Sequence, residues 1–156
     1  FSSLKDLADR IDDPELDVSK EDILILQNAG PSSKSGMPEA GYLPIPKKLS
    51  QKGVKDMVRI SDARMSGSAF GTIILHVTPE SNLGGPLSIV KTGDKIKLSV
   101  SNKSIDLLIS KEEMKQRLSR FQKNKDIHKR GYKHLYQKNV LPATEGCDFD
   151  FLSKKD

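Results

Sequence analysis

The main candidates for chemistry are a few polar side chains in two glycine-containing segments. Ser66 and Ser68 stand on either side of Gly67 in DARMSGS, and Glu39 stands in GMPEAG. A serine hydroxyl is a weak base unless nearby positive charge lowers its pKa, and a lone loop carboxylate binds magnesium weakly. Serine beside glycine is also typical of a tight turn. Taken alone, these residues favour a turn at Ser66 and a solvated Glu39.

Four other side chains near these segments or in the tail have structural interpretations. Asp62 and Arg64 could form an ion pair that fixes the loop, or reach a substrate carboxylate, with the structural role favoured for Asp62. His76 lies in an apolar segment without metal-ligand spacing, which is typical of a core or supporting histidine. Cys147 can form neither an internal disulfide nor a cysteine cluster alone, so we expect a structural role for it and a reducing compartment for the protein.

Charge and composition narrow the classes of partner. The chain has 26 basic and 21 acidic residues, a net charge of +5 that weakly favours anionic partners. Basic residues concentrate at positions 111–138, but acidic residues are mixed among them, which is typical of a solvated helix surface and not of a nucleic-acid platform. No apolar run approaches the roughly 20 residues that cross a bilayer. We therefore expect no nucleic acid, no membrane and a cytoplasmic location.

Hydrophobic periodicity predicts the elements that must position these residues. Apolar positions at helical spacing predict a helix over 4–11, and Ser110 three residues before Glu113 predicts the capped start of another. Strict alternation over 95–100 and 105–109 predicts a hairpin. The other predicted strands cover 22–27, 57–60, 72–77 and 87–90, and the other predicted helices cover 47–49 and 131–136.

The order of these elements predicts an α+β, strand-rich fold whose sheet can curl into a barrel. A length of 156 residues suits one domain, which we place at 1–156 with a tail at 143–156. Proline and glycine make 28–46 a long irregular loop, and such loops are more often functional than idle.

Several sequence blocks occur together in one order. They are NAGPSSKSGMPEAGYLPIPKKL (28–49), KDMVRISDARMSGSAFGTIILHVTPES (55–81), GGPLSIVKTGDKIKLSV (84–100) and GCDFDFL (146–152). Together they resemble the dihydroxy-acid and sugar-acid dehydratase family over nearly the whole chain. DARMSG, HVTPE and GGP resemble its pentonate branch, which includes arabinonate and xylonate dehydratases.

The resemblance implies a two-domain hydro-lyase that converts a 2,3-dihydroxy acid into a 2-keto-3-deoxy acid through an enol. This chain resembles the C-terminal domain, a swivelling β/β/α barrel in the family. The N-terminal dehydratase domain would supply the cysteines of a 2Fe–2S or 4Fe–4S cluster and most ligands of a magnesium ion. The full-length enzyme is expected to be a homo-oligomer acting on a sugar acid.

The resemblance also implies roles for individual residues. Ser66 matches the base that removes the proton from carbon 2, and Glu39 matches the one magnesium ligand that this domain contributes. Ser68 stands where the pentonate enzymes usually have threonine, whose hydroxyl assists near the base. The residues interpreted as substrate-binding are Arg64, Gly67 and His76.

Two other classes of function stay open at the level of sequence. One is a non-catalytic remnant or regulatory module that keeps the barrel and binds a partner or acidic ligand. The other is a nucleic-acid module, which only the charge supports.

Overall fold

The computed structural model describes residues 1–34, 43–67, 69–123 and 128–153. Its helices are α1 (Leu4–Arg10), α2 (Lys47–Ser50), α3 (Lys111–Ser119) and α4 (Gly131–Asn139). Its strands are β1 (Leu24–Leu26), β2 (Arg59–Ser61), β3 (Ile73–Ile74), β4 (Ile96–Ser99) and β5 (Ser104–Leu107). Short 3₁₀ turns lie at Ser81–Leu83, Pro86–Ile89 and Ala143–Glu145.

A three-stranded parallel sheet organises the first half of the chain. Its order is β1-β2-β3, with Ile25 opposite Ile60 and Ile60 opposite Ile74. Every residue of β2 is buried, as expected for the middle strand of a covered parallel sheet. The core combines α1, β1 and the segments around β2 and includes the buried side chains Leu7, Ile11, Leu24, Leu26, Ala29, Leu43, Leu49, Met57, Ala63 and Met65.

The second half begins with the predicted hairpin, which is confirmed. β4 and β5 pair antiparallel with Ile96 opposite Leu107 and Leu98 opposite Ile105. The predicted cap of α3 is also confirmed, since the Ser110 hydroxyl accepts a hydrogen bond from the Glu113 amide at 3.0 Å. The strand β5 has already ended at Leu107, and Ser110 caps the start of α3.

Helix α4 extends the predicted 131–136 helix, and the tail packs back on it. Tyr136 is its buried residue, and the ring of Phe149 lies edge-on to that of Tyr136 at 5.7 Å. An isolated bridge joins Val140 to Phe149. Apolar residues of the tail thus anchor α4. In the described part of the chain, no helix is long and apolar enough to cross a membrane.

Two predicted strands need correction. Residues 87–90 are not a strand, because Pro86 starts a 3₁₀ turn in which the Ser88 amide donates to the Gly85 carbonyl at 2.9 Å. The strand predicted for 72–77 ends at Ile74, and His76 has a left-handed backbone with φ of 55° that a strand does not accommodate. The described residues form a mixed α/β fold with two small sheets, and they contain no closed barrel.

Candidate functional site

The ends of the three parallel strands bring the sequence-predicted segments to one edge of the sheet. The chain leaves β1 into residues 27–34, β2 into residues 62–67 and β3 into residues 75–82. Parallel neighbours end on the same side, where ligand sites of α/β sheets commonly form. We call these three loops together the carboxyl edge.

Asp62 ties the three loops of the carboxyl edge together. Its side chain is buried, with 1% exposed. Oδ1 accepts a hydrogen bond from the Ala29 amide at 3.0 Å, and Oδ2 accepts one from the Ser81 amide at 2.9 Å. These contacts give Asp62 a structural, loop-fixing role through backbone amides of the two neighbouring loops. The ion pair with Arg64 that the sequence suggested is not formed between these two described residues.

A second buried carboxylate, Glu80, holds the loop after β1. Its Oε1 and Oε2 accept from the Ser32 amide at 3.2 and 3.1 Å, and the side chain is 4% exposed. Burial raises the pKa of the Glu80 carboxyl, and the negative charge of Asp62 raises it too, while hydrogen bonds from Ser32 lower it. The site therefore holds an acid that keeps its proton to a higher pH than an exposed glutamate.

The loop after β1 is fixed up to its last described residues. A Cβ added at Gly30 would lie 2.5 Å from Glu80 Oε2, so a larger residue would require the Glu80 carboxyl group to move. The Asn82 amide group donates to the Ser32 carbonyl at 2.7 Å, and that of Gln137 donates to the Ser33 carbonyl at 2.9 Å. Glu39, the predicted magnesium ligand, follows this loop and lies outside the described residues.

The loop after β2 alternates between buried and exposed side chains. Ala63 and Met65 are buried, whereas Arg64, Ser66 and Gly67 are exposed. The Ser66 carbonyl accepts from the Ala69 amide at 2.9 Å, which makes the predicted tight turn. Met65 thus anchors a turn that presents the predicted base at the surface. Ser68 lies outside the described residues.

Gly67 has open space around its backbone among the described atoms. A Cβ added there meets no described atom within 4 Å. An approach of substrate to this backbone stays a prediction.

His76 lies beside the base loop but not in the core. Its amide donates to the Ala63 carbonyl at 3.1 Å, which places it next to the segment that carries Arg64 and Ser66. The residue is exposed, so the expectation of a core histidine is wrong. The left-handed backbone at His76 turns its side chain out of the strand pattern, and a substrate-binding role stays a prediction.

Cys147 lies near the same edge. Burial raises the pKa of its thiol, and Glu80 raises it further, while Arg64 lowers it. A raised pKa favours the neutral thiol over the nucleophilic thiolate. These effects agree with the predicted structural role and place the tail within electrostatic reach of Arg64 and Glu80.

The described residues do not by themselves fit a magnesium ion or an iron–sulfur cluster. They contain no group of three or more histidine, cysteine, aspartate or glutamate side chains that could hold a metal. The Asp62 and Glu80 carboxylates are already committed to backbone amides.

Sequence reasoning missed the supporting residues Glu80, Asn82 and Arg59. Glu80 and Asn82 follow a strand at the same edge as Ser66, which was a usable signal. Arg59 is a charged residue in an apolar strand sequence. Such a residue is seldom buried without partners, which was the signal for a supporting role.

Comparison with known proteins finds that the sequence of this chain is similar to those of dehydratases. The family model described as dihydroxy-acid/6-phosphogluconate dehydratase C-terminal matches residues 1–147. An L-arabinonate dehydratase from Rhizobium leguminosarum bv. trifolii is 46% identical over 97% of this chain, and a 6-deoxy-6-sulfo-D-gluconate dehydratase from Pseudomonas putida is 47% identical over 97%. A dihydroxy-acid dehydratase from Carboxydothermus hydrogenoformans is 38% identical over 85%.

The chain belongs to the dihydroxy-acid/6-phosphogluconate dehydratase C-terminal family. It is more similar to these two sugar-acid dehydratases than to that dihydroxy-acid dehydratase. It covers 26% of the length of each of the two sugar-acid enzymes, so it spans about a quarter of the curated relatives it matches.

Proposed function

We propose that this chain is the C-terminal domain of a hydro-lyase that dehydrates a sugar acid to a 2-keto-3-deoxy acid. The observation that carries the proposal is the 46–47% identity to two dehydratases of sugar acids, against 38% to a dihydroxy-acid dehydratase. The two sugar-acid relatives act on a five-carbon and a sulfonated six-carbon acid by name, so we extend the proposed substrate class from pentonates to aldonic acids in general.

In the proposed reaction, Ser66 takes the proton from carbon 2 of the substrate and the bond between carbon 3 and its hydroxyl breaks. The departing hydroxide takes up that proton and leaves as water, which restores the base. The resulting enol becomes the 2-keto acid by taking up a proton at carbon 3. The exposed turn at Ser66, anchored by buried Met65, supports a base that works against a substrate held outside this fold. A serine hydroxyl needs positive charge nearby to act as a base at neutral pH.

We assign supporting roles to other residues of the chain from the resemblance. Ser68 assists the base, Glu39 contributes one magnesium ligand, and the substrate contacts come from Arg64, Gly67 and His76. The basic side chain of Arg64 is exposed on the loop of Ser66, which suits recognition of the substrate carboxylate.

The rest of the proposed enzyme lies outside this chain. An N-terminal dehydratase domain supplies most magnesium ligands and a 2Fe–2S or 4Fe–4S cluster, whose Lewis acidity would stabilise the leaving hydroxyl. From the resemblance we assign the swivelling β/β/α barrel to this C-terminal domain, and we propose that the full-length enzyme is a cytoplasmic homo-oligomer. The relatives' greater length supports an additional domain.

The test is a substrate panel for the longer protein that contains this chain. Loaded with magnesium and iron–sulfur cluster, it is assayed with L-arabinonate, D-xylonate, D-gluconate and 2,3-dihydroxyisovalerate, and release of the 2-keto acid is measured. We expect at least about tenfold higher kcat/KM for an aldonic acid than for the branched-chain acid. Preference for 2,3-dihydroxyisovalerate would overturn the sugar-acid assignment, and turnover of none would favour a non-catalytic binding module.

A further inference from the structure

Arg59 in β2 is a buried cation with contacts to two separate loops. Its side chain is 2% exposed. Nη1 donates to the Leu43 carbonyl at 3.2 Å, and Nη2 donates to the Phe70 carbonyl at 2.5 Å. Burying a charged group is unfavourable unless hydrogen bonds compensate it, so these contacts are needed by the fold as well as by the loops.

Each of these two carbonyls belongs to a residue that follows a predicted site residue by the same number of positions in the sequence. Leu43 comes four residues after Glu39, and Phe70 comes four residues after Ser66. The guanidinium is planar and directs its donors in a rigid fork, so holding both carbonyls fixes their spacing. One side chain therefore connects the downstream ends of the two segments that carry the predicted chemistry.

Asp56 and Gly71 complete this arrangement. Asp56 Oδ1 accepts from Arg59 Nη2 at 3.3 Å, and the Asp56 carboxylate accepts from the Thr72 amide at 3.1 and 3.0 Å. Gly71 has φ of +102°, and a Cβ there would lie 2.1 Å from Asp56 Oδ1 and 2.8 Å from Arg59 Nη2. The loop of Ser66 can therefore pack against Arg59 only because residue 71 is glycine.

The upstream ends are held by different residues. Asp62, at the start of the Ser66 loop, binds the Ala29 amide, and Glu80 binds the Ser32 amide. Arg59 supplies the corresponding restraint downstream. Buried polar groups thus hold described residues before and after each of the two segments.

We propose that Arg59 is a positioning residue for dehydration, which sets the spacing between the segment leading from Glu39 and the loop of Ser66. This inference rests on the proposed function for its catalytic consequence. Its structural part, the linkage of two segments by one guanidinium, is measurable without turnover.

The test compares Arg59→Met with Arg59→Lys in the longer protein. Steady-state kinetics with an aldonic acid are combined with amide hydrogen exchange over residues 43–49 and 66–73. For Arg59→Met we expect faster exchange in both segments and a kcat at least about tenfold lower, with a smaller change in KM, because misplacement of reacting groups slows chemistry. Arg59→Lys keeps the charge but not the fork, so an intermediate kcat is expected.

The matched control is Arg117→Met, which removes a guanidinium whose hydrogen bonds go to Ile89, Asp94 and Glu113 and to none of the predicted site residues. Arg117 donates to Asp94 at 2.5 and 3.0 Å and to the Ile89 carbonyl at 3.0 Å. We expect faster exchange around residues 89–94 and 111–119, with kcat within about twofold of wild type. An equal loss of kcat in Arg117→Met and Arg59→Met, or exchange that rises in only one of segments 43–49 and 66–73, would overturn the proposal.

Two further outcomes, failure of Arg59→Met to fold and failure of the proposed function, are distinguished by additional variants. If Arg59→Met does not fold, Gly71→Ala is used instead, because an added Cβ at residue 71 must displace the same contacts. It is expected to raise exchange in both segments and to lower kcat. An unchanged kcat in Gly71→Ala would refute the positioning role. If Ser66→Ala keeps full turnover, the proposed function fails, whereas the exchange data still decide whether Arg59 links the two segments.

Discussion

At Ser66, side-chain exposure and backbone restraint occur together. The residue is exposed while its carbonyl is held by the Ala69 amide and its neighbour Met65 is buried. A group that must meet a substrate without losing its position needs both properties. The turn that explains Ser66 structurally is therefore compatible with the base assigned to it.

Replacing Ser66 by alanine is expected to remove the proposed base while keeping the backbone hydrogen bond from the Ala69 amide to the carbonyl of residue 66. In the longer protein, kcat for an aldonic acid should fall by at least about 10³-fold, with thermal stability changed little. Steady-state kinetics and a melting curve measure the two effects. Ser101→Ala, at an exposed position in the hairpin turn, is the control and should retain wild-type kcat. A kcat within tenfold of wild type for Ser66→Ala, about the limit of an indirect effect, would exclude the base role.

Glu80 makes stability depend on pH. Its carboxyl pKa is raised in the fold, mainly by burial, so the neutral form is favoured there. Its contribution is fully present below the ordinary pKa of 4.5 and is lost as the pH rises through the raised value. The stability of wild type minus that of Glu80→Gln should therefore decrease with rising pH, by at most about 1.4 kcal/mol per pH unit.

Urea unfolding between about pH 4 and about pH 7 measures this difference. Glu15→Gln, at an exposed position, is the control and should give a flat difference across the same range. A difference that increases with pH for Glu80→Gln would mean that the ionised form is the one the fold stabilises.

Among the elements, the turn at Gly84–Gly85–Pro86 is a close backbone crossing. A Cβ added at Gly85 would lie 1.7 Å from the Pro79 carbonyl oxygen, which is backbone and cannot rotate away. Gly85→Ala is expected to destabilise the chain by about 1–3 kcal/mol, as overpacking usually does. Gly67→Ala is the matched control, because a Cβ there meets no described atom within 4 Å. Denaturant midpoints compare the two, and equal midpoints would show that the crossing relaxes without cost.

The sequence predicted those elements whose formation depends on local pattern. The hairpin followed from strict alternation and α3 from the Ser110 cap, since each signal lies within a few residues. The parallel pairing of β1, β2 and β3 depends on contacts between distant residues and carries no local signature. At 87–90 the alternation of Leu87 and Ile89 suggested a strand, but Pro86 and the tight turn prevailed.

The site residues also divide into those that the sequence located and those that only the tertiary fold identifies. Motif resemblance located Ser66 and its loop, and the structure places that loop at the carboxyl edge. The residues that hold the loops, Asp62, Glu80 and Arg59, act through backbone amides and carbonyls of segments distant in sequence. Only Asp62 was given a loop-fixing role beforehand, because partners for a buried polar group depend on the tertiary fold.

On the scale of the whole molecule, contacts within the described fold do not explain why some side chains of the Ser66 loop, residues 62–67, and that of Phe70 after it are exposed. Phe70 is 73% exposed and directly follows Ala69, whose amide closes the turn on the Ser66 carbonyl, and Arg64 is exposed in the same loop. Single exposed apolar residues are ordinary on protein surfaces, but one beside these polar candidates is compatible with a surface that another part of the protein covers. The relatives' additional length offers such a part.

The isolated chain should therefore be a folded but inactive half of a site. The described residues contain no group of three metal-ligating side chains, and the chain covers 26% of the length of its sugar-acid relatives. We expect its turnover of an aldonic acid, measured as 2-keto acid released, to be at least about 10³-fold below that of the longer protein. Adding the separately produced remainder should restore activity, and adding it to the Ser66→Ala chain should not. If the isolated chain turned over the aldonic acid and Ser66→Ala abolished that turnover, the chain would contain a complete site by itself. Activity from a contaminating enzyme would not depend on the Ser66 hydroxyl.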